Sequence, residues 1–437
     1  MKMNPIWNIS AQRPHFESLG GDIRVDVLII GGGIAGILCA HALENVGVDY
    51  ALIEADNICG GITQNTTAKI TVQHDMIYDK LIREFGILKA KLYYEGNNDA
   101  LQEYHRLCAQ IDCDFEESDA YLYSIDNKSK IEKEAEAYKK LGIKAERTNK
   151  LPLPFSVAGA LCISGQAHFN PLKFLYEISK RLRIYESTKA IRFSPGLVST
   201  NRGKIHAKKI IVATHFPIIN KHGGYFVKMY QHRSYVLALK NTPPMEGMYI
   251  DENKKGLSFR SYGEYLLLGG GSHRTGKTGG NWRELEEFAA EHYPDAEEVC
   301  RFATQDCMTL DSVPYIGRYS QGTEALYVAS GFNKWGMTSA MLASMILRDE
   351  ILGKYNRYAE VFSPSRSIVR PQLALNIFET AINLLTPTTP RCPHLGCALK
   401  YNKAEHTWDC PCHGSRFTKD GKLIDNPATE DKSGLSQ

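Results

Sequence analysis

The sequence has little excess charge, no long apolar run, no internal repeat and no low-complexity tract. Each lack excludes something. Lys and Arg number 52 against 49 Asp and Glu, a formal net charge of +3. With no Lys/Arg-rich run, composition makes no electrostatic case for nucleic acid or an anionic membrane. No stretch reaches the roughly 18 consecutive apolar residues of a membrane span. The first residues, MKMNPIWNISAQRPHF, lack the apolar core of a secretory signal. A cytoplasmic location is therefore expected. What is present is ordinary for a folded chain: 437 residues, 43% hydrophobic, 36 Gly. That length suits two or three domains with sizeable cores.

The first informative stretch is RVDVLIIGGGIAGILCAHALENVGVDYALIE, residues 24–54. An apolar run from Val25 to Ile30 meets glycines, a helical stretch follows, and a second apolar run ends at Glu54. The spacing Gly31-x-Gly33-x-x-Gly36 suits a dinucleotide. Gly31 permits the tight turn, Gly33 lets backbone approach a pyrophosphate, and Gly36 lets helix and strand pack closely. The helix start, with Ile34 and Ala35, offers free N–H groups to phosphate. Glu54 is placed to accept from ribose hydroxyls and to repel an NADP phosphate. The fingerprint alone does not decide between FAD and NAD.

Further along, residues 75–141 read as mostly helical, residues 205–214 as a buried strand, and residues 225–273 as an antiparallel sheet. Residues 326–352 form a strand, a turn at Gly331 and a long apolar helix. Four stretches resemble the FAD-dependent amine and amino-acid oxidoreductases of the D-amino acid oxidase and glycine oxidase type. They are the N-terminal unit, GGITQNTTAKITVQH (60–74), TLDSVPYIGR (309–318) and SGFNKWGMTSAMLAS (330–344). The resemblance implies an α/β fold: a Rossmann-like FAD-binding domain with an interleaved α+β substrate domain built on an antiparallel sheet. It implies FAD contacts at Thr66 and Thr67, Ala213 and Thr214, Asp311, and the turn and helix start Gly331, Gly336, Met337 and Thr338. Such a helix start would stabilise negative charge on a reduced flavin. Asn65, Thr66 and Thr67 stand where some family members carry an attaching His, and none suits that bond, so non-covalent FAD is expected.

Eleven cysteines are many for such a chain. Seven are scattered and read as buried thiols. The other four crowd into CPHLGC (392–397) and CPCHGS (410–415). Four Cys and two His in so short a span could bind zinc. A Rieske 2Fe–2S centre instead places two thiolates on one iron and two imidazoles on the other. Cys392 with His394, and Cys410 with His413, supply one of each per loop. Pro393, Leu395, Gly396, Pro411, Gly414 and Ser415 resemble the Rieske family position by position. That resemblance further implies a Cys397–Cys412 disulfide, a Ser415 hydroxyl directed at the cluster, and a Gly414 that gives its loop room.

These readings divide the chain into an FAD-binding domain (1–75, 156–216 and 306–362), a substrate domain (76–155 and 217–305), a linker helix (363–387) and a small all-β Rieske domain (388–437). The Rieske part is short, so support from the FAD portion is expected. The linker's amphipathic stretch QLALNIFETAINLL should pack its apolar face on the protein's own core. A two-electron cofactor joined to a one-electron centre suggests a dehydrogenase. It would oxidise a small amine or amino acid at a C–N bond and pass electrons to an external acceptor. Alternatives are a reductase fed by an external donor, or a redox sensor or electron-transfer protein. Lys69 and His74 are the candidate acid–base residues. Arg233 or Arg260 is a candidate carboxylate clamp. Lys334 and Trp335 are expected at the flavin edge.

Overall fold

A computed structural model describes residues 5–253, 255–387 and 390–435. The expected domain ends at residues 1–4, 388–389 and 436–437 lie outside these.

Two large sheets organise the chain. The first has the strand order Tyr315–Arg318, Leu326–Ser330, Lys204–Val212, Ile23–Ile30, Tyr50–Ile53, Ile184–Tyr185. Along this path all neighbours run parallel except Tyr315–Arg318, which folds back on Leu326–Ser330; a hairpin of Ala190–Ser194 and Leu197–Thr200 adds antiparallel to Lys204–Val212. Parallel strands covered on both faces need continuous apolar runs, and Val27 to Ile30 and Tyr50 to Ile53 are buried throughout. The helix Ile34–Glu44 follows the first strand and is apolar on nearly every side. It packs against the sheet and against the late helix Gly336–Ile351. Gly36 serves as expected: a Cβ there would overlap the carbonyl oxygen of Gly31.

The second sheet has nine strands, mostly antiparallel. Its long strand Met229–Lys240 lies between the edge strand Glu297–Thr309 and Tyr265–Arg274. Residues 75–141 contain three helices, as expected, but also the strand Glu116–Ser124. That strand buries Ala120 and its last three residues against Gly159–His168. Gly159–His168 and the short strand Lys69–Ile70 sit in stretches expected for the FAD-binding part, yet both belong to this second sheet.

A four-stranded antiparallel sheet of residues 400–425 carries the two cysteine loops. It is seated on the outer face of the nine-stranded sheet. Successive residues of a strand point to opposite faces, so Gln231 and Arg233 meet the Rieske part while Tyr230, His232 and Ser234 face inward. The Gln231 amide donates to the His413 carbonyl at 2.7 Å, and Gln305 donates to the Gly414 carbonyl at 2.8 Å. Arg233 pairs with Glu405, and both are buried. The support that a short Rieske part lacks thus comes from the second sheet, through residues in the stretch expected for the substrate domain.

The linker helix forms, at Pro371–Leu385, but its orientation reverses the expectation. Its polar side packs on the protein and its apolar side faces out: Asn376 and Asn383 are buried while Leu375, Phe378 and Leu385 are exposed. Asn376 is held by side-chain bonds to Arg274 and the Val227 carbonyl that an apolar residue could not make. No helix among the described residues is long and apolar enough to cross a membrane.

Candidate functional site

The dinucleotide cradle is built by the first parallel strand and its helix. Gly31 takes φ +112° and lies so close to Ala213 that a Cβ would clash with its carbonyl. Gly33 caps the helix, and a Cβ there would meet only the Thr63 hydroxyl, at 3.2 Å. Thr63 accepts the Ile34 N–H at 3.0 Å. Glu54 accepts from the Gly32 N–H at 2.7 Å and from the Asp56 N–H at 2.9 Å. The carboxylate therefore shapes the glycine turn itself. Thr214 turns its hydroxyl to the Phe216 carbonyl, and its own carbonyl accepts from Asn426 of the Rieske part. This narrow glycine-lined cleft fits a bound pyrophosphate.

A cavity of about 270 Å³ lies between the second sheet, the 66–69 loop and the turn before the late helix. Thr66, Thr67, Lys69, His74, Gly336 and Met337 line it, as do Tyr230, His232, Asp306, Lys334 and Trp335. The loop 66–69 is held by Trp7, which donates to the Thr66 carbonyl at 2.9 Å, and by Arg260, which donates to the Thr67 carbonyl. Asn333 and Lys334 both have positive φ, +50° and +75°, in the turn before the late helix. Two adjacent residues held there mark a strained, over-determined turn. Asn333 accepts the Thr309 N–H at 2.8 Å and fastens that turn to the second sheet.

The two acid–base candidates part company. Lys69 reaches the Thr67 hydroxyl at 3.3 Å. Burial, helped by the charge of Arg260, lowers its pKa to about 7. His74 has both ring nitrogens engaged. Its Nε2 lies 2.8 Å from the Thr71 carbonyl, an acceptor only, so Nε2 carries the proton. Its Nδ1 then accepts from the Tyr93 hydroxyl at 2.7 Å. Thr338 bonds it at 3.0 Å and Trp335 stacks on it with ring centroids 4.9 Å apart. Burial drives its pKa down to about 3, so it stays neutral.

The arginine candidates are also used elsewhere. Arg233 serves the Rieske interface, and Arg260 is buried against the 66–69 loop and the Trp7 ring. Asp311, expected at the cofactor, gives both oxygens to Arg366, at 2.7 and 2.8 Å. What sequence reading missed is the pair His232 and Asp306. They stand directly opposite in the register and face the cavity. Burial pushes the Asp306 pKa up to about 6 despite the charges of Lys334 and Arg233. The two residues are far apart in sequence, and only strand alternation across an unforeseen pairing brings them together.

The two cysteine loops repeat one design. The Gly396 N–H bonds the Cys392 carbonyl and the Gly414 N–H bonds the Cys410 carbonyl, each at 2.9 Å. Both glycines have positive φ, +78° and +88°. The room that Gly414 provides is against Gln231, whose side chain a Cβ would meet at 2.7 Å. The Cys392 and Cys410 thiols are within hydrogen-bonding reach of each other, and the His394 and His413 rings are 4.9 Å apart. Nδ1 of His394 and both ring nitrogens of His413 are buried without a well-formed hydrogen bond. Buried, unsatisfied nitrogens beside paired thiols fit a metal cluster. Burial lowers the two histidine pKa values to about 4 and about 3, which keeps the rings neutral as ligation requires. Cys397 and Cys412 form a disulfide joining the loops. The seven scattered cysteines are all buried and free.

Comparison with known proteins follows the same division. The pattern of the FAD dependent oxidoreductase family matches residues 26–350, and that of the Rieske [2Fe-2S] domain matches residues 372–434. The chain is 37% identical to the putative Rieske 2Fe-2S iron-sulfur protein YhfW of Bacillus subtilis (strain 168), over 97% of this chain and 95% of that one. The alignment runs to 487 positions against 437 residues here, so at least 50 residues of the relative have no counterpart in this chain. Gamma-glutamylputrescine oxidoreductase of Escherichia coli (strain K12) is 24% identical over 45% of this chain and 50% of its own length. Glycine oxidase from Geobacillus kaustophilus shares the fold, with a TM-score of 0.65 at 20% identity over 79% of this chain and 99% of that one. The chain belongs to the FAD dependent oxidoreductase family and ends in a Rieske domain. It is an oxidoreductase that uses FAD and a 2Fe–2S cluster.

Proposed function

We propose that the protein is a cytoplasmic dehydrogenase that oxidises a small amine or amino acid at a C–N bond and delivers the electrons to an external acceptor. The observation that carries this is the placement of the two sites. The substrate cavity and the cysteine loops lie on opposite faces of the same strands, Met229–Lys240 and Glu297–Thr309. Tyr230 lines the cavity, the Arg274 guanidinium lies 4.9 Å over its ring, and Arg274 donates to the Pro411 carbonyl at 3.1 Å. Only one layer of backbone separates them. An enzyme that hands its electrons to oxygen at the flavin has no use for such a second centre.

When bound, the flavin accepts two electrons as a hydride equivalent and the cluster passes them on singly. The chain's own groups do the rest. Asp306 holds the substrate's ammonium at the mouth of the reacting site. Lys69, neutral above about pH 7, takes the ammonium proton, because only the free amine can lose hydride and become an imine. His232 borders Asp306. Gly31, Gly33, Gly36, Glu54, Thr66, Thr67, Ala213, Gly331 and the start of the late helix hold FAD without a covalent bond. Cys392, Cys410, His394 and His413 hold the cluster, two thiolates and two imidazoles. The gamma-glutamylputrescine relative, named for an amine substrate, supports the amine branch.

The test is anaerobic visible spectroscopy of the holoprotein against a panel of primary, secondary and di-amines and of amino acids. One substrate should bleach the flavin band and then the cluster absorption. If none does while dithionite reduces both centres, the dehydrogenase reading is wrong and the protein runs as a reductase.

A further inference from the structure

The linker helix Pro371–Leu385 is inside out. At 3.6 residues per turn, Gln372, Asn376, Glu379 and Asn383 share one side, and it is the buried one. Asn376 accepts from Arg274 at 3.1 Å and donates to the Val227 carbonyl at 3.3 Å. The Asn383 carbonyl accepts the Ala398 N–H at 3.0 Å, and Glu379 pairs with Lys277 at 2.7 Å. The helix is therefore pinned by its polar side, and the orientation is not that of a loose segment.

The opposite side is left to solvent. Leu375 is 56% exposed, Phe378 62% and Leu385 83%, with Ile377, Ile382 and Leu384 each above 40%. The patch continues into the cluster loop, where Leu395 is 40% exposed beside His394 and Leu384 approaches Gly396. Monomeric proteins rarely leave more than a few hundred Å² of contiguous apolar surface open, and larger patches mark interaction sites.

Charge around the patch decides what covers it. Exposed Lys221 and His222 adjoin Asn220, which bonds His394 at 3.1 Å. Arg391 stands at the end of the helix, where it donates to the main-chain carbonyls of Leu384 and Thr386. The one acid of the helix, Glu379, is paired with Lys277. An apolar helix face with a basic rim complements an anionic lipid surface. A symmetric second copy would set this rim against itself. The whole-chain charge of +3 hides this local imbalance.

We propose that the helix Pro371–Leu385 lies in the interface of an anionic membrane, with Leu375, Phe378 and Leu385 entering the acyl region and the exposed edge of the cluster loop resting at the lipid surface.

The test is flotation of the full-length holoprotein with vesicles of phosphatidylcholine alone or with about a third phosphatidylglycerol. The protein should rise with the anionic vesicles, and less so at high salt. Phe378→Glu with Leu385→Glu should cut that binding by about tenfold or more. Lys221→Glu should weaken it too, and all variants should keep their flavin and cluster spectra because the changed positions are exposed. Failure of the wild-type protein to float with anionic vesicles overturns the proposal. So does equal binding by wild type and the double variant. A solution dimer that Phe378→Glu dissolves, without vesicle binding, assigns the face to a second copy instead.

Discussion

Lys69 carries the clearest pH signature in the molecule. Its ammonium is buried beside Arg260, so the charged form is penalised and the pKa falls from 10.5 to about 7. The neutral amine is the useful form, so kcat/KM should rise with pH through about 7. Lys69→Met should remove that limb and lower kcat/KM by about two orders of magnitude, the usual worth of a general base; a pH profile of substrate-driven flavin bleaching measures both. Asp306 predicts a different signature. With a pKa near 6 it is ionised at neutral pH and can hold an ammonium. Asp306→Asn should raise KM about tenfold or more, the loss of one charge-assisted bond of about 1.5–3 kcal/mol, and leave dithionite reduction of the flavin unchanged. His74, the other acid–base candidate, has its two nitrogens bonded to Thr71 and Tyr93.

At the scale of the element, what the sequence discloses is local chemistry. The segment 31–36 and the loops 392–397 and 410–415 each carry their own spacing, so strand, turn, helix and paired loops are legible before any fold is known. Gly36→Ala should break the first of these. Its methyl would overlap the Gly31 carbonyl, so the strand and helix must separate. Loss of about 1–3 kcal/mol is expected, with FAD lost first, measurable as a falling flavin-to-protein absorbance ratio. Orientation and cross-strand meeting are not legible. The linker helix shows an apolar stripe in sequence, but a stripe does not say which side faces the protein. Here Arg274 and the Val227 carbonyl claim Asn376 and settle it. Likewise, alternation along QHRS assigns Gln231 and Arg233 to one face and His232 to the other. Only the pairing with Glu297–Thr309 reveals that one face holds the cysteine loops and the other the cavity.

For the whole molecule, function depends on the Rieske part staying seated. The seat is a buried ion network: Glu405 takes Arg233, Arg416 and the Tyr235 hydroxyl, the last at 3.0 Å, and Arg416 also takes Asp409 and Asp425 at 3.1 and 3.0 Å. Burial alone would raise the Glu405 pKa, but Arg233 and Arg416 outweigh it and hold it at about 2. A carboxylate with a depressed folded pKa stabilises above its unfolded value, near 4.3, and that contribution is lost as pH falls from there toward 2. The seat should therefore loosen in acid below about pH 4, within the range where the folded and unfolded values differ. Glu405→Ala reaches the same end at neutral pH. It strands the buried Arg233 guanidinium, while Arg416 keeps Asp409 and Asp425, and breaking such a buried pair from one side costs about 3–5 kcal/mol. Two thermal transitions should then replace one, with the cluster absorption lost before the flavin's. Below the first transition both centres should keep their spectra, while electrons from substrate reach the cluster more slowly in stopped-flow measurements. Wild-type rates in that variant would mean that the ion network stabilises the chain without setting the distance across the strands.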